Sequence, residues 1–357
     1  MTTGDKIQTH HSSTPILHEL RASFVHLKLV TRNSHTVYDK DTFAMAPLKK
    51  KITDGLKEWP QALAVWMFQK IIPLLPLKAS YALAHGLSAL ALRLLQKQRK
   101  TIIGNMDVAF GKQMSTEQKT EAAREMATNM FKGFFECFYL SSTFRSKVKG
   151  IANIEGRHHL DEALARGKGV ITLSAHFGNF IILGSIMAQE GYPFHMVLKD
   201  PPSKPLARLF QQFRRSAGQQ WITTTPWREC QKKIFLCLRK NEIICLIADE
   251  YKRRGGVEVD FFGYKTPTAV GPAVLSLRTG AALVPLFMVR QNDDTHKIII
   301  EPALEFNLTG NQAEDIYQIT SAFTQRIEWY IRRYPTQWLW LNRRWKKRSP
   351  GDKHHQG

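Results

Sequence analysis

Cysteine is scarce in this chain: four residues in 357, Cys137, Cys230, Cys237 and Cys245, with no CxxC pair among them. This excludes a disulfide framework and points to buried thiols in a reducing compartment. No His, Cys and carboxylate group has the sequence spacing of a metal site, so no metal and no other cofactor is expected. Long apolar runs are missing too. The longest uncharged run near the start is ASYALAHGLSALAL, Ala79 to Leu92, bracketed by Lys78 and Arg93. It falls short of the roughly 20 residues that cross a bilayer. Residues 1–50 are polar and rich in His and Thr, without the apolar centre of a secretory leader. Acidic residues are outnumbered, 30 against 51 Lys and Arg, for a net charge of +21. That excess calls for an anionic partner: nucleic acid, an anionic membrane surface or an acidic carrier protein.

Hydrophobic residues, at 43%, supply a sizeable core. Residues 1–55 read as a loosely ordered tail and 349–357 as a second one. From 56 to 145 the period is helical, and Ser115 followed by Gln118 is a capping-box pattern. Trp59 and Trp66, with basic flanks, make the stretch near 59–95 either a set of core helices or a helical hairpin lying in a membrane interface. From 146 to 348 short apolar runs alternate with helical stretches: GVITLSA, FHMVLK, IICLIA, VEVDFF, ALVPLFMV and HKIIIEPAL read as strands. This alternation predicts an α/β fold with a mostly parallel sheet flanked by helices.

In such sheets ligands gather beyond the carboxyl ends of the strands. His176 stands there, at the end of GVITLSA. Gly178 permits close approach of a backbone or substrate, Asn179 is suited to cap the next helix, and free N–H groups at that helix start favour developing negative charge. A base beside an oxyanion site is equipment for acyl transfer, although a lone histidine at a strand end is more often structural. Asp249 and Glu250 follow IICLIA, so they too can stand at that sheet edge, or instead form a solvated turn or pair with Lys252, Arg253 or Arg254. Arg208 and Arg215, seven apart, share a helix face with Arg214 adjacent, either a phosphate-binding set or a solvated basic face. The closing run PTQWLWLNRRWKKR interleaves Trp338, Trp340 and Trp345 with Arg343, Arg344, Lys346, Lys347 and Arg348. It suits an anionic interface; without a nucleic-acid fold motif, nucleic acid is not expected as a partner.

The block SAHFGNF resembles the HX4D/E motif of the lipid A biosynthesis (Kdo2-lipid A lauroyl/myristoyl) acyltransferase family and its phosphatidylinositol mannoside acyltransferase relatives. Further blocks are similar in order: KTIIGNMDVAFGK, EGRHHLDEALARGKGVI, LKDPPSKPLARLFQQFRRSAG, the long stretch from IADEYKRRGG to FMVR, and the terminal Trp/Arg segment. The resemblance spans about residues 60–348. It implies a glycerolipid-acyltransferase-like fold with a membrane-associating helical N-terminal segment. It also implies transfer of a fatty acyl chain from acyl carrier protein or acyl-CoA to a glycolipid or phospholipid hydroxyl. The implied place is the cytoplasmic face of a bacterial inner membrane, peripheral or monotopic. His176 would be the general base, with Gly178 and Asn179 at the oxyanion, and Arg208, Arg214 and Arg215 on the donor phosphate or acceptor headgroup. Two positions depart from the pattern. Ile181 stands where the family has its acid, and Asn342 where a His often precedes Arg-x-x-Lys. Some relatives in the mannoside branch resemble an arrangement with a second acid at the Asp249 block, so Asp249, or less favourably Glu250, is expected to replace the acid missing at 181. A catalytically impaired family member acting as a lipid-binding or regulatory protein is the first rival reading, and a basic nucleic-acid-binding protein the second.

Overall fold

The computed structural model describes residues 60–142, 150–252, 255–342, 344 and 345. The expected tails, Trp59, Arg253, Arg254, Arg343, Lys346, Lys347 and Arg348 lie outside the described residues. The first helix, α1, runs over residues 60–71 and passes into a short 3₁₀ turn, Ile72–Leu74. Helices α2 (Leu77–Leu94), α3 (Gln96–Phe110) and α4 (Thr116–Leu140) follow. The capping box at α4 forms as its sequence prescribes: the Gln118 N–H donates to Ser115 Oγ, and the Ser115 N–H donates to Gln118 Oε1 at 2.7 Å.

The alternating region then lays down β1 (Ala152–Glu155), α5 (Arg157–Ala165), β2 (Val170–Ser174), α6 (Phe180–Gln189), β3 (Phe194–Leu198), α7 (Lys204–Ser216), β4 (Gln220–Thr223), α8 (Trp227–Arg239) and β5 (Ile243–Ile247). It ends with β6 (Gly256–Phe261), β7 (Tyr264–Ala269), α9 (Gly271–Thr279), β8 (Ala282–Arg290), β9 (His296–Ile300) and α10 (Gln312–Arg333). Seven strands form one mixed sheet in the order β1-β9-β8-β2-β5-β3-β4. Strands β8, β2, β5, β3 and β4 are mutually parallel; β9 pairs antiparallel with β8 and carries β1 beside it in parallel. Every residue of central β2 is buried, which is why it reads as an unbroken apolar run. Alternate side chains feed opposite faces. Ile171, Leu173, Leu283 and Phe287 join a cluster that includes α3 and α10, while Val170, Val284, Leu286 and Met288 join one that includes α5 and α6.

VEVDFF is a strand, but not of the main sheet. It pairs antiparallel with Tyr264–Ala269 as a separate hairpin, β6-β7, whose two turn residues, Phe262 and Gly263, both have positive φ. Such a turn matches the twist of the strands it joins, and Phe262 tolerates the conformation because its ring is buried against Trp340 and Phe110. The four-residue strands β1 and β4 are too short to show a pattern in sequence. Among the described residues no helix is long and apolar enough to cross a membrane.

Candidate active site

Strands β2 and β5 are parallel neighbours in the register Ser174 to Ile247. Two residues beyond each of those positions stand His176 and Asp249, so sheet register alone carries them side by side at the carboxyl edge. The Asp249 Oδ1 lies 2.8 Å from His176 Nδ1, and its Oδ2 accepts the His176 backbone N–H at 3.0 Å. Oδ2 also accepts Trp338 Nε1–H at 2.7 Å and the Asn342 amide at 3.3 Å. The carboxylate is wholly buried, whereas the imidazole keeps 20% of its surface exposed. With Nδ1 committed to Asp249, Nε2 faces the other way. Phe180 packs edge-on against the ring, with centroids 5.0 Å apart.

Burial by itself would raise the Asp249 carboxyl, but the His176 charge and the bonds from His176 and Trp338 hold it below the ordinary carboxylate range. Burial would likewise lower His176. The charge and hydrogen bond of Asp249, with a smaller contribution from Glu250, outweigh that and raise it above 6.5. Glu250 itself is exposed, and its carbonyl accepts from Arg344. It acts on the imidazole through charge and makes no hydrogen bond to it.

Three expectations need correction. Gly178 has φ +55°, and a Cβ there would stand 1.8 Å from the Met288 carbonyl oxygen. The close approach is therefore to β8, and the Gly178 N–H already donates to the Gln337 carbonyl at 2.8 Å, so it is not free for an oxyanion. Asn179 occupies the cap position of α6 without capping it; its amide turns inward to Glu136 Oε2 at 2.5 Å and to the Gly133 carbonyl. Arg214 is buried, bound to Asp200 at 2.5 Å and lying over Trp221, because it faces the sheet. It therefore leaves the solvent-facing set; Arg208 and Arg215 remain exposed on α7.

In the closing Trp/Arg segment the tryptophans and Arg344 are also not at the surface. Trp338 and Trp340 are fully buried, Trp345 nearly so, and they pack on Phe261, Phe262 and Phe110. Arg344 is buried too; it donates to the carbonyls of Glu250 and Pro267 and to Thr268 Oγ1, and burial brings its guanidinium down to about 10. The segment crosses the His176 turn as a single antiparallel bridge, Phe177 to Trp338, with the Leu339 N–H on the His176 carbonyl at 2.9 Å.

Sequence reading missed the residues that hold these parts in place. Trp338 and Asn342 share a quoted block with the arginines, yet nothing in their spacing points at Asp249. Glu136 on α4 is fully buried and accepts from Tyr81 at 2.6 Å and Asn179, with His296 Nε2 at 2.9 Å and the Arg290 guanidinium at 2.8 Å. Its burial would raise the carboxyl, but His296 and Arg290 keep it well below the usual range. Ile181 packs at the border of an apolar cluster containing Phe135 and Phe138, so the usual acid position is greasy here. Next to the His176 turn, a cleft of about 470 Å³ is lined by Gln337, Arg290, Lys132, Arg124, Asn129 and His85 among others.

Residues 47–347 match the model of the bacterial lipid A biosynthesis acyltransferase family. The chain belongs to that family. Among curated relatives of this lipid A acyltransferase-family chain, a phosphatidylinositol mannoside acyltransferase of Mycobacterium tuberculosis is 33% identical over 194 residues, which are 54% of this chain and 59% of the relative. A lipid A biosynthesis palmitoleoyltransferase of Escherichia coli is 26% identical over 281 residues, 78% of this chain and 88% of the relative. A lauroyltransferase of the same organism is 25% identical over 280 residues, with the same shares covered. The match thus spans about three fifths of the mycobacterial relative and most of each enterobacterial one.

Proposed function

We propose that this protein is an O-acyltransferase that moves a fatty acyl chain from a thioester donor, acyl carrier protein or acyl-CoA, to a hydroxyl of a glycolipid or phospholipid. The observation that carries the reading is the 2.8 Å contact of His176 Nδ1 with buried Asp249, which leaves Nε2 available at the sheet edge, in a chain of this family. In the reaction Nε2 takes the proton of the acceptor hydroxyl while its oxygen attacks the thioester carbonyl carbon. Asp249 stays ionised and steadies the imidazolium, as a buried carboxylate does behind a catalytic histidine. The tetrahedral oxyanion lies toward the start of α6, where the positive end of the helix dipole favours negative charge. Collapse breaks the carbon–sulfur bond, and the imidazolium returns its proton to the leaving thiolate. No covalent acyl-enzyme is needed, so donor and acceptor are held together.

Arg208 and Arg215 and the polar cleft beside Gln337 are candidates for the donor phosphate and the acceptor headgroup. The N-terminal helices supply the membrane contact: Leu63, Trp66, Met67, Ile71, Leu74, Leu90 and Leu94 are exposed apolar side chains on one continuous stretch of chain. Lys70, Lys78, Arg93 and Lys97 punctuate it, a composition suited to lying at an anionic surface on the cytoplasmic side of the inner membrane. Comparing lipid extracts of a deletion strain and its parent tests the proposal. An acyl chain missing from one lipid class, restored by the parent gene but not by His176→Ala, is the expected result. Unchanged lipids, together with purified protein inert toward both donors, would favour the lipid-binding reading.

A further inference from the structure

Far from the acyl-transfer edge, three residues with metal-binding chemistry converge although their spacing in sequence announces nothing. His195 lies on β3, Cys237 in the last turn of α8, and Glu242 immediately before β5. Their ligand atoms all lie within 4.8 Å of one another. The convergence is built in by backbone. Asn241 turns the chain in the left-handed region, φ 61°, its side chain pinned by the Gly169 N–H and the Leu164 carbonyl, and the Glu242 N–H donates to the Cys237 carbonyl at 3.0 Å. Because His195 pairs with Ile244 and Glu242 precedes β5, the group sits at the amino edge of the sheet, opposite His176.

We propose that His195, Cys237 and Glu242 form a site for a zinc-like divalent cation. A thiolate, an imidazole and a carboxylate are together the donor set that selects zinc over magnesium or calcium. Bonds of about 2.0–2.3 Å to such ligands put the donor atoms of a tetrahedral site within about 4 Å of one another, so small side-chain adjustments admit an ion. His195 Nε2 is buried and stands 2.9 Å from Glu242 Oε2 without the geometry of a hydrogen bond, and no other described atom satisfies it. A cation between them would take that lone pair. The fourth position opens on a cleft of about 400 Å³ lined by Trp221, Lys233 and Gln219 as well as His195 and Cys237, with room for a water. On binding, the Cys237 S–H bond gives way to a sulfur–metal bond and its proton leaves to solvent. The two anionic ligands then neutralise the ion, and the site clamps β3, α8 and β5 together.

The test uses full-length protein, stripped with a chelator and titrated with Co²⁺, whose thiolate complexes show a sulfur-to-cobalt charge-transfer band in the near ultraviolet. The polar tails contain histidines, His10, His11, His354 and His355 among them, that bind Co²⁺ without sulfur, so the charge-transfer band and not total binding is decisive. The expected result is one thiolate-bound Co²⁺ per chain in the parent and in Cys230→Ser, displaced by Zn²⁺. The band should be lost in Cys237→Ser and in His195→Ala, with folding checked by circular dichroism. Zn²⁺ should also raise the Tm of the parent and not of Cys237→Ser. Absence of the band from the parent, or its survival in Cys237→Ser, overturns the proposal.

Discussion

At the residue scale the decisive contact joins a strand-end histidine to an acid 73 positions away. His176→Ala is expected to abolish transfer while leaving the fold, because the side chain is partly exposed and its loss opens no large cavity. Its circular dichroism and Tm should stay near the parent, and retained turnover would remove His176 from the base role. Asp249→Asn should lower the rate about 10²–10⁴-fold. The amide cannot stabilise an imidazolium and presents an N–H to the existing donors; the stability cost should be only about 1–3 kcal/mol. A pH–rate profile separates the two roles. A histidine base works when neutral, and Asp249 and Glu250 raise the pKa of His176, so with His176 in that role the acid limb of the parent should lie above the ordinary histidine value of 6.5. In Asp249→Asn burial is left to dominate, and the limb should move to lower pH. Ile181→Glu should gain little activity, since Asp249 already occupies the orienting position and the 181 environment is apolar. An inert parent rescued by Ile181→Glu would instead show that Asp249 does not serve the histidine.

At the scale of elements, the turn after β2 depends on partners from distant helices and strands. Glu136 links α4 to Tyr81 of α2, Arg290 of β8, His296 of β9 and Asn179 at the start of α6. Glu136→Ala would take the buried Arg290 from its 2.8 Å carboxylate partner and leave only the 3.5 Å contact with Asp294; a loss of about 3–5 kcal/mol is expected in denaturant unfolding. The exposed face of the N-terminal helices should behave in the opposite way. Trp66→Glu combined with Leu94→Glu should leave stability unchanged, because both side chains are solvent-facing. Flotation with anionic vesicles should show binding reduced at least about tenfold, since each apolar side chain inserted contributes about 1.5–3 kcal/mol. High-salt or carbonate washing should release much of the parent from membranes. Vesicle binding equal to the parent's would remove these helices from the docking surface.

For the whole molecule, the Trp/Arg segment packs from inside against the His176 turn and Asp249. Trp338 fills the core and donates to Asp249, so Trp338→Phe should preserve most packing while freeing one acceptor position on the carboxylate. Activity should fall by more than the modest change in Tm would account for. The fold class was legible from the sequence because buried strands and amphipathic helices impose their own periods, and the Ser115 capping box because it is local. His176 was legible as the end of an apolar strand. Asp249 was legible as an acid at the end of another strand, and the family resemblance marked it as the replacement for the acid missing at 181; the pairing of the two strands was not, since strands read separately do not declare that they are neighbours.

What the sequence determined by itself was therefore local: the strand and helix periods, the strand-end placement of His176 and Asp249, the blocks shared with acyltransferase relatives, and an excess of positive charge. Tertiary structure decided what pairing and packing alone can decide. The register of β2 against β5 set the 2.8 Å contact between His176 and Asp249. Packing placed the closing tryptophans and Arg344 in the interior, where their composition suggests a surface, and turned Arg214 inward to Asp200. Composition records which side chains are available, whereas the partners that satisfy a buried charge or indole N–H come from chain segments tens to hundreds of residues away, and only folding brings them within bonding distance.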